Sequence, residues 1–386
     1  MTAPISNREA LRRLHKAGRV VVKIGSGVLT DEHGRLEPKT LRRLANDIAP
    51  LVGLRRWPFV VSSGAIAVGM GILGLKSRPR TMAGLQATAA LGQSKLVEAW
   101  SQAFRKHEVP VAQVLLTHAD LSNRKRFLNA RRALGEIERR HAIAVINEND
   151  TVSFEEIAFG DNDELAAHVS NLVDAQLLIM LSVAPGVMDA AGERISEALA
   201  HDERLDALVQ PSQSRFGRGG MTSKLRAARI AASRGAYVAI LPGKEPGMIQ
   251  RLLHGEDVGT LLVPDDARGR LRSRAHWIAH TLRPVGTLLV DDGAAAALKG
   301  HNKSLLAPGV VRVEGSFAEG DAVEIATLED ELPKVFARGL TRYSASQLTE
   351  LVGRPAKEIS EALGITTDAV VHKDDLVLMD DRGGSR

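Results

Sequence analysis

The 386-residue chain contains no cysteine, which excludes disulfides, thiolate nucleophiles and cysteine-ligated zinc together. No apolar run approaches the roughly 18 residues of a membrane span, and the sequence has no internal repeat or low-complexity segment. The opening stretch MTAPISNREALRRLHKAGR is basic but lacks an apolar h-region and a small-residue cleavage site. It reads as a short helical lead-in, not a targeting segment, and a cytoplasmic location is expected. The most informative absence is local. From Ala144 to His168 the chain carries seven carboxylates (Glu148, Asp150, Glu155, Glu156, Asp161, Asp163 and Glu164) and neither lysine nor arginine, although its formal charge is +5.

What is present describes a globular protein, with 44% hydrophobic and 25% charged residues. The length suits two or three domains. The small positive charge permits polyanions or phosphate-bearing small molecules as partners without demanding either. Short β-branched runs, RVVVKIGS, FVVSS, VAQVLL, AIAVIN, LLIML, YVAIL and TLLV, alternate with helical patterns as far as Val263. This pattern predicts an α/β fold, a mostly parallel sheet sandwiched between helices, over residues 1–266. Ligands of such sheets bind at the carboxyl ends of strands, so the residues that follow each run carry the chemistry. Residues 267–283 hold five arginines and no acid and read as a basic linker helix. Beyond Pro284 the runs GTLLVDD, GVVRVEG, DAVEIA, KVFARGL and DLVLMD predict a small, separate β-rich domain over residues 284–386.

Three segments look chemical. In VVVKIGSGVLT, Lys23 sits inside an apolar strand followed by Gly25, Ser26 and Gly27. A buried ammonium needs an anion at the strand end, and the glycines let backbone N–H groups approach a phosphate. An edge-strand lysine whose head reaches water is the plainer alternative. In VVSSGAIAVGMGILG, the Ser62–Ser63–Gly64 turn leads into a helix whose free N–H groups suit a carboxylate or phosphate. Gly69, Gly71 and Gly74 match G-x-G-x-x-G but fall within that helix, which speaks for tight packing on the sheet instead of a dinucleotide site. In RFGRGGMTSKL, three glycines, two hydroxyls and Lys224 precede a helix, as in a phosphate-gripping loop. Neither this stretch nor PGKEPG around Lys244 has Walker A spacing.

The basic run NRKRFLNARRAL is read as a solvated helix face, and the arginines beside Trp277 could instead stack on bases. The tail SASQLTELVGRPAKEISEALGI superficially suggests a helix-turn-helix, but no dense basic recognition helix follows, which argues against DNA binding.

The lysine strand, SSGAIA, INEND, GDNDELAA and GGMTSK occur in this order, and with them the chain resembles the glutamate 5-kinases of the amino acid kinase family, with a C-terminal PUA domain. The resemblance implies ATP- and Mg²⁺-dependent phosphorylation of the γ-carboxylate of L-glutamate, the first step of proline biosynthesis. It implies that Lys23 and Lys224 contact the ATP phosphates, that Asp163 holds both lysines in position, and that Ser63, Asp150 and Asn162 bind glutamate, with Asn147 and Asp161 lining the same pocket. Ser182 and Val183, with the loop Arg218, Gly219, Gly220, Met221, Thr222, Ser223 and Lys224, would hold the nucleotide. Where the family has Thr-Asp followed by Gly-Leu-Tyr-Thr, this chain reads LSVAPGVMDAAG, so Ser182 keeps a hydroxyl but Val183 supplies no carboxylate. The resemblance further implies self-association, feedback by proline, transfer of the product to glutamyl phosphate reductase, and RNA as a partner of the PUA domain. No membrane partner is expected.

The alternatives are a kinase of the same fold acting on another carboxylate or a carbamate, and an RNA-binding protein acting through the PUA domain. The set Lys23, Asp163 and Lys224 argues against a vestigial kinase domain. The acidic stretch suits an ammonium group, a lysine pair or magnesium, and TVSFEEIAFG has the length of a closing lid.

Overall fold

The computed structural model describes residues 18–31, 35–53, 56–153, 162–208, 220–264, 275, 277–301, 303–329, 332–352 and 369–379. They fall into two compact units, residues 1–269 and 270–386.

The first unit is built on an eight-stranded sheet. Its strands are β1 (Gly18–Ile24), β2 (Arg56–Ser62), β3 (Val111–Leu116), β4 (Ile143–Glu148), β5 (Leu177–Ser182), β6 (Glu197–Leu199), β7 (Tyr237–Pro242) and β8 (Thr260–Val263). Their spatial order is β3-β4-β2-β1-β5-β7-β8-β6. Pairing from β3 through to β7 is parallel, and β8 reverses against β7 and carries β6 parallel to itself. The seven β-branched runs are all strands; Glu197–Leu199 is an added edge strand, too short to show a period. β4 and β5 are buried along their whole length, as strands covered on both faces must be.

The helices of this unit are α1 (Ser26–Leu29), α2 (Pro38–Gly53), α3 (Ala65–Leu73), α4 (Met82–Phe104), α5 (His118–Ser122), α6 (Arg124–Arg139), α7 (Asn162–Leu172), α8 (Arg204–Leu208), α9 (Met221–Ala232) and α10 (Met248–Leu253). The core on one face joins Val20, Val22, Leu44, Ile48, Val60 and Trp100. In α6 only Phe127 and Leu134 are buried, and its charges pair at the surface, as in Arg126–Asp120 at 3.3 Å and Arg140–Glu136 at 2.9 Å. That helix is the solvated face its composition suggests.

Gly69 of α3 has a packing role, but its partner differs from the sequence expectation. The close approach is to α4 and not to the sheet. A Cβ on Gly69 would lie 1.8 Å from the Thr88 carbonyl oxygen, and one on Gly92 would lie 1.8 Å from that of Ala65. Gly74 is the left-handed C-cap of the helix, with φ 65°.

In the second unit β9 (Gly286–Val290), β10 (Leu305–Leu306), β11 (Val310–Gly315), β12 (Ala322–Glu329), β13 (Leu332–Thr341) and β14 (Ala369–Leu378) form a sheet of order β10-β14-β13-β12-β9-β11. Its core centres on Leu288, Val323, Ile325, Phe336 and Val370. The helices α11 (Asp292–His301) and α12 (Ala345–Leu351) accompany it. Of the expected basic linker helix, Trp277–Thr281 forms one wide helical turn, and residues 265–274 lie outside the described residues. Among the described residues no helix is long and apolar enough to cross a membrane.

Because the α3–α4 contact is backbone against backbone, Gly92→Ala should destabilise the protein by about 1–3 kcal/mol through overpacking. Urea denaturation measures this, and an unchanged midpoint would mean that the two helices can separate freely.

Candidate active site

Parallel pairing brings the carboxyl ends of β1, β2, β4 and β5 to one edge of the sheet. Lys23 is the next-to-last residue of β1, in register with Val61 on one side and Met180 on the other. A lysine there points into the protein and is 2% exposed. Its Nζ lies 2.5 Å from Oδ1 of Asp163, which is fully buried in the first turn of α7. The other carboxylate oxygen, Oδ2, lies 3.0 Å from Nζ of Lys224, in the first turn of α9. Ser223 Oγ is 2.9 Å from the same Oδ2 and 2.9 Å from the Gly220 carbonyl oxygen. One carboxylate thus gathers two ammonium groups and a hydroxyl contributed by a strand and a helix far apart in sequence.

Among the described residues, the backbone around this centre leaves space at two glycines. A Cβ on Gly25 would come within 3.9 Å of Lys23 Nζ, so its absence leaves space beside the ammonium. Gly220 is the N-cap of α9 with no side-chain cap, which leaves the first N–H groups of a twelve-residue helix without an internal acceptor. Met221 and Thr222 follow it, half-buried and exposed respectively. At the end of β5, Ser182 Oγ accepts a hydrogen bond from the Ala184 N–H at 3.3 Å, and Val183 is 66% exposed. A Cβ on Gly27 would meet Val183 Cγ1 at 3.2 Å, so the turn after β1 and the end of β5 are close neighbours.

At the end of β2, Ser63 donates its N–H to the Ile24 carbonyl at 3.1 Å, and its Oγ is buried without a hydrogen-bond partner. Gly64 follows with φ 108°, a conformation that favours glycine, and opens α3. Asn162, at the start of α7, donates from Nδ2 to the Ser62 carbonyl at 3.2 Å and to Asn147 Oδ1 at 2.7 Å. Asn147, in β4, donates in turn to Gln93 Oε1 on α4 at 2.7 Å. Trp100 Nε1 donates to Ser62 Oγ at 2.9 Å and locks the β2 end from the α4 side.

Beyond this amide ladder is a cavity of about 200 Å³ lined by Gln93, Ser94, Gln113, Glu148, Asp150 and Thr151 among others. Burial pushes the Asp150 carboxyl up to about 6, against the smaller opposing pull of Arg78. Loss of hydration disfavours the carboxylate form, so this group is poised to accept a cation. A larger cavity of about 630 Å³, lined by Arg35, Leu41, Val68 and Ala103 among others, contains none of the candidate site residues.

Of the sequence candidates, Lys23, Asp163, Ser223 and Lys224 meet at one point, Asn147 and Asn162 join Ser62 in the ladder, and Asp150 lines the smaller cavity. Asp161, Arg218, Gly219 and the lid residues Glu155 and Glu156 lie outside the described residues. Sequence reasoning missed Gln93, whose segment ALGQSKL carries no motif, and the contact of Ser223 with Asp163. Among the described residues no group of three or more His, Asp or Glu side chains could hold a metal.

The profile of the amino acid kinase family matches residues 18–241, and that of the PUA domain matches residues 286–363. Over 375 residues the chain is 44% identical to the glutamate 5-kinase of Thioalkalivibrio sulfidiphilus, covering 95% of this chain and 99% of that one. It is 42% identical over 379 residues to the glutamate 5-kinase of Pelobacter propionicus, covering 96% and 100%. With that of Chromohalobacter salexigens it shares 44% identity over 381 residues, covering 97% and 98%.

Removing the shared anion would leave two cations buried side by side. Asp163→Ala is therefore expected to destabilise the protein by about 3–5 kcal/mol, the usual effect of breaking a buried pair from one side. Chemical denaturation reads this directly, and a loss below 1 kcal/mol would show that the triad behaves like a surface ion pair.

Proposed function

The chain belongs to the amino acid kinase family, and from that premise we propose that it transfers the γ-phosphoryl group of ATP to the γ-carboxylate of L-glutamate. The product is L-glutamyl 5-phosphate, and the reaction opens proline biosynthesis. The observation that carries this reading is the convergence of Lys23 and Lys224 on Asp163 at the carboxyl edge of the sheet.

A glutamate γ-carboxyl has a reference pKa of about 4.3, so at neutral pH it is already a nucleophile and needs no general base. The barrier is the approach of one anion to another. A γ-carboxylate oxygen forms the new bond to phosphorus, the bond to the bridging β,γ oxygen breaks, and ADP leaves with that electron pair. Charge on the transferring group is stabilised from Lys23 and Lys224, whose two ammonium groups exceed what one carboxylate neutralises. Asp163 fixes where the heads sit, and Ser223 supports Asp163. The open N-terminus of α9 faces phosphate oxygens, favoured by its partial positive charge. Ser63 Oγ, buried and unpartnered, donates to the glutamate carboxylate beside Asn162. Asp150, in its acidic cavity, receives the substrate ammonium.

Magnesium fits this arrangement. It takes mainly phosphate and water oxygens with one or two carboxylates, so it does not require a three-acid cage. Asp163, shared by two lysines, is the carboxylate least available to it. When bound with the triphosphate, Mg²⁺ would neutralise part of the phosphate charge.

Val183 presents apolar surface where the resemblance leads one to expect a carboxylate. It can pack against a nucleotide but cannot accept hydrogen bonds from it, which weakens polar discrimination at the end of β5. A cytoplasmic location, self-association, inhibition by proline, transfer of the acyl phosphate to a reductase and RNA binding by the PUA unit enter this proposal only as properties the family resemblance implies.

Incubation with ATP, Mg²⁺, L-glutamate and hydroxylamine should yield the γ-hydroxamate, and Lys224→Ala should lower kcat at least about 10²-fold. No hydroxamate from the wild-type protein would refute the activity, and a near-normal rate in a folded Lys224→Ala variant would refute the role of that lysine.

The proposed role of Asp150 has a sign in pH. Only its ionised form attracts an ammonium, and with its midpoint at about 6 that form dominates at pH 7. One unit below the midpoint the ionised fraction is about one-tenth, so the KM for glutamate should rise about tenfold between pH 7 and pH 5. Steady-state kinetics across that range check this; Asp150→Asn should raise KM at pH 7 and flatten the profile. A wild-type profile as flat as that of the variant would remove Asp150 from the site.

A further inference from the structure

Gln93 has one half of its amide accounted for and the other half unexplained. Its Oε1 accepts from Asn147 Nδ2 at 2.7 Å, whereas its Nε2 is buried with no hydrogen-bond partner. The residue is 8% exposed and lines the cavity that holds Asp150 and Glu148. Which end of the amide is free follows from the ladder itself. Asn162 faces the Ser62 carbonyl, an acceptor only, so the atom there must be its NH₂ nitrogen. The same nitrogen reaches Asn147 at 2.7 Å, so Asn147 presents its oxygen to it and its own NH₂ to Gln93. Gln93 must therefore accept with oxygen, and the unpartnered atom is the donor.

A buried amide NH₂ left without an acceptor is costly, so such a group calls for an occupant. Among the described surroundings, neither Glu148, which accepts from Ser153 Oγ at 3.3 Å, nor Asn149, which accepts from Thr151 Oγ1 at 2.7 Å, is hydrogen-bonded to it. The occupant must bring an acceptor and tolerate two neighbouring carboxylates. An amino acid does both, because its ammonium answers the acids while its α-carboxylate needs a donor.

We propose that Gln93 is a substrate-binding residue that donates Nε2–H to the α-carboxylate of the amino-acid substrate, and so sets specificity for an α-amino acid. This rests on the reading of the cavity as the amino-acid end of the site. It gives the cavity a matched pair of contacts, Asp150 for the ammonium and Gln93 for the carboxylate. It also links recognition to chemistry, because Gln93 is the far rung of the ladder whose near rung, Asn162, immediately precedes Asp163.

Gln93→Glu keeps the oxygen that Asn147 needs and replaces the donor by a charged acceptor, which repels an α-carboxylate. The KM for L-glutamate should rise ten- to a hundredfold, with the KM for ATP within threefold of wild type. Inhibition by 4-aminobutyrate, which is glutamate without its α-carboxylate, should change less than threefold. Unchanged glutamate KM would overturn the proposal. A parallel loss of affinity for ATP, glutamate and 4-aminobutyrate would overturn it too, by showing a merely structural role. Should the variant fail to fold, the wild-type protein decides: 4-aminobutyrate binding as tightly as glutamate would mean that no group reads the α-carboxylate, and binding at least tenfold weaker supports the assignment. Absence of hydroxamate from glutamate in the wild-type protein would instead refute the activity itself, and this inference would fall with it.

Discussion

The site depends on Asp163 being shared. A single carboxylate with no exposure holds an ammonium on each oxygen, which fixes two long and otherwise mobile side chains against the end of the sheet. Charge is not balanced within that group of three, and the surplus is positive. In a buried setting such a surplus favours an incoming anion more than exposed lysines would, because less water screens the attraction. On the proposed function, one arrangement would both hold two cations together and attract a triphosphate.

The fold supplies what that arrangement needs. Lys23 can sit in a central strand only because the strand ends one residue later and its head emerges beside Gly25, where no side chain intrudes. Asp163 and Lys224 both come from first turns of helices that pack together. The backbone-level contact of Gly69 and Gly92 brings α4 close to α3. That closeness places Trp100 on Ser62 and Gln93 on Asn147. A packing feature of two glycines therefore determines where a polar side chain reaches the site.

Much of this was legible in the sequence where a residue type was incompatible with its surroundings. A lysine in an apolar strand, glycines after it, and acids without nearby cations each pointed to the site, and the β-branched runs located the strands. Less legible were features whose cause lies in tertiary contact. Gly69 packs on another helix, and nothing in the spacing of the glycines distinguishes a helix from a sheet as the partner. Gln93 lies among alanines and leucines on a helix, so its role depends on Asn147, more than fifty residues away. The strand Glu197–Leu199 exists because β8 offers it an edge.

The acidic stretch in a basic protein is reconciled by what separates its members. Glu148 and Asp150 line one cavity, whereas Asp163 belongs to the lysine centre, and between them stand Gln93, Asn147 and Asn162. Amides bond strongly but carry no net charge, so the ladder transmits position without transmitting a protonation state. In the proposed reaction, a carboxylate at Asn147 or Asn162 would bring negative charge toward the transferring phosphoryl group, and a lysine would compete with the substrate ammonium for Asp150. On the proposed function, the neutral ladder keeps an acidic pocket for the amine apart from a cationic centre for the phosphate, one at each end of a short substrate.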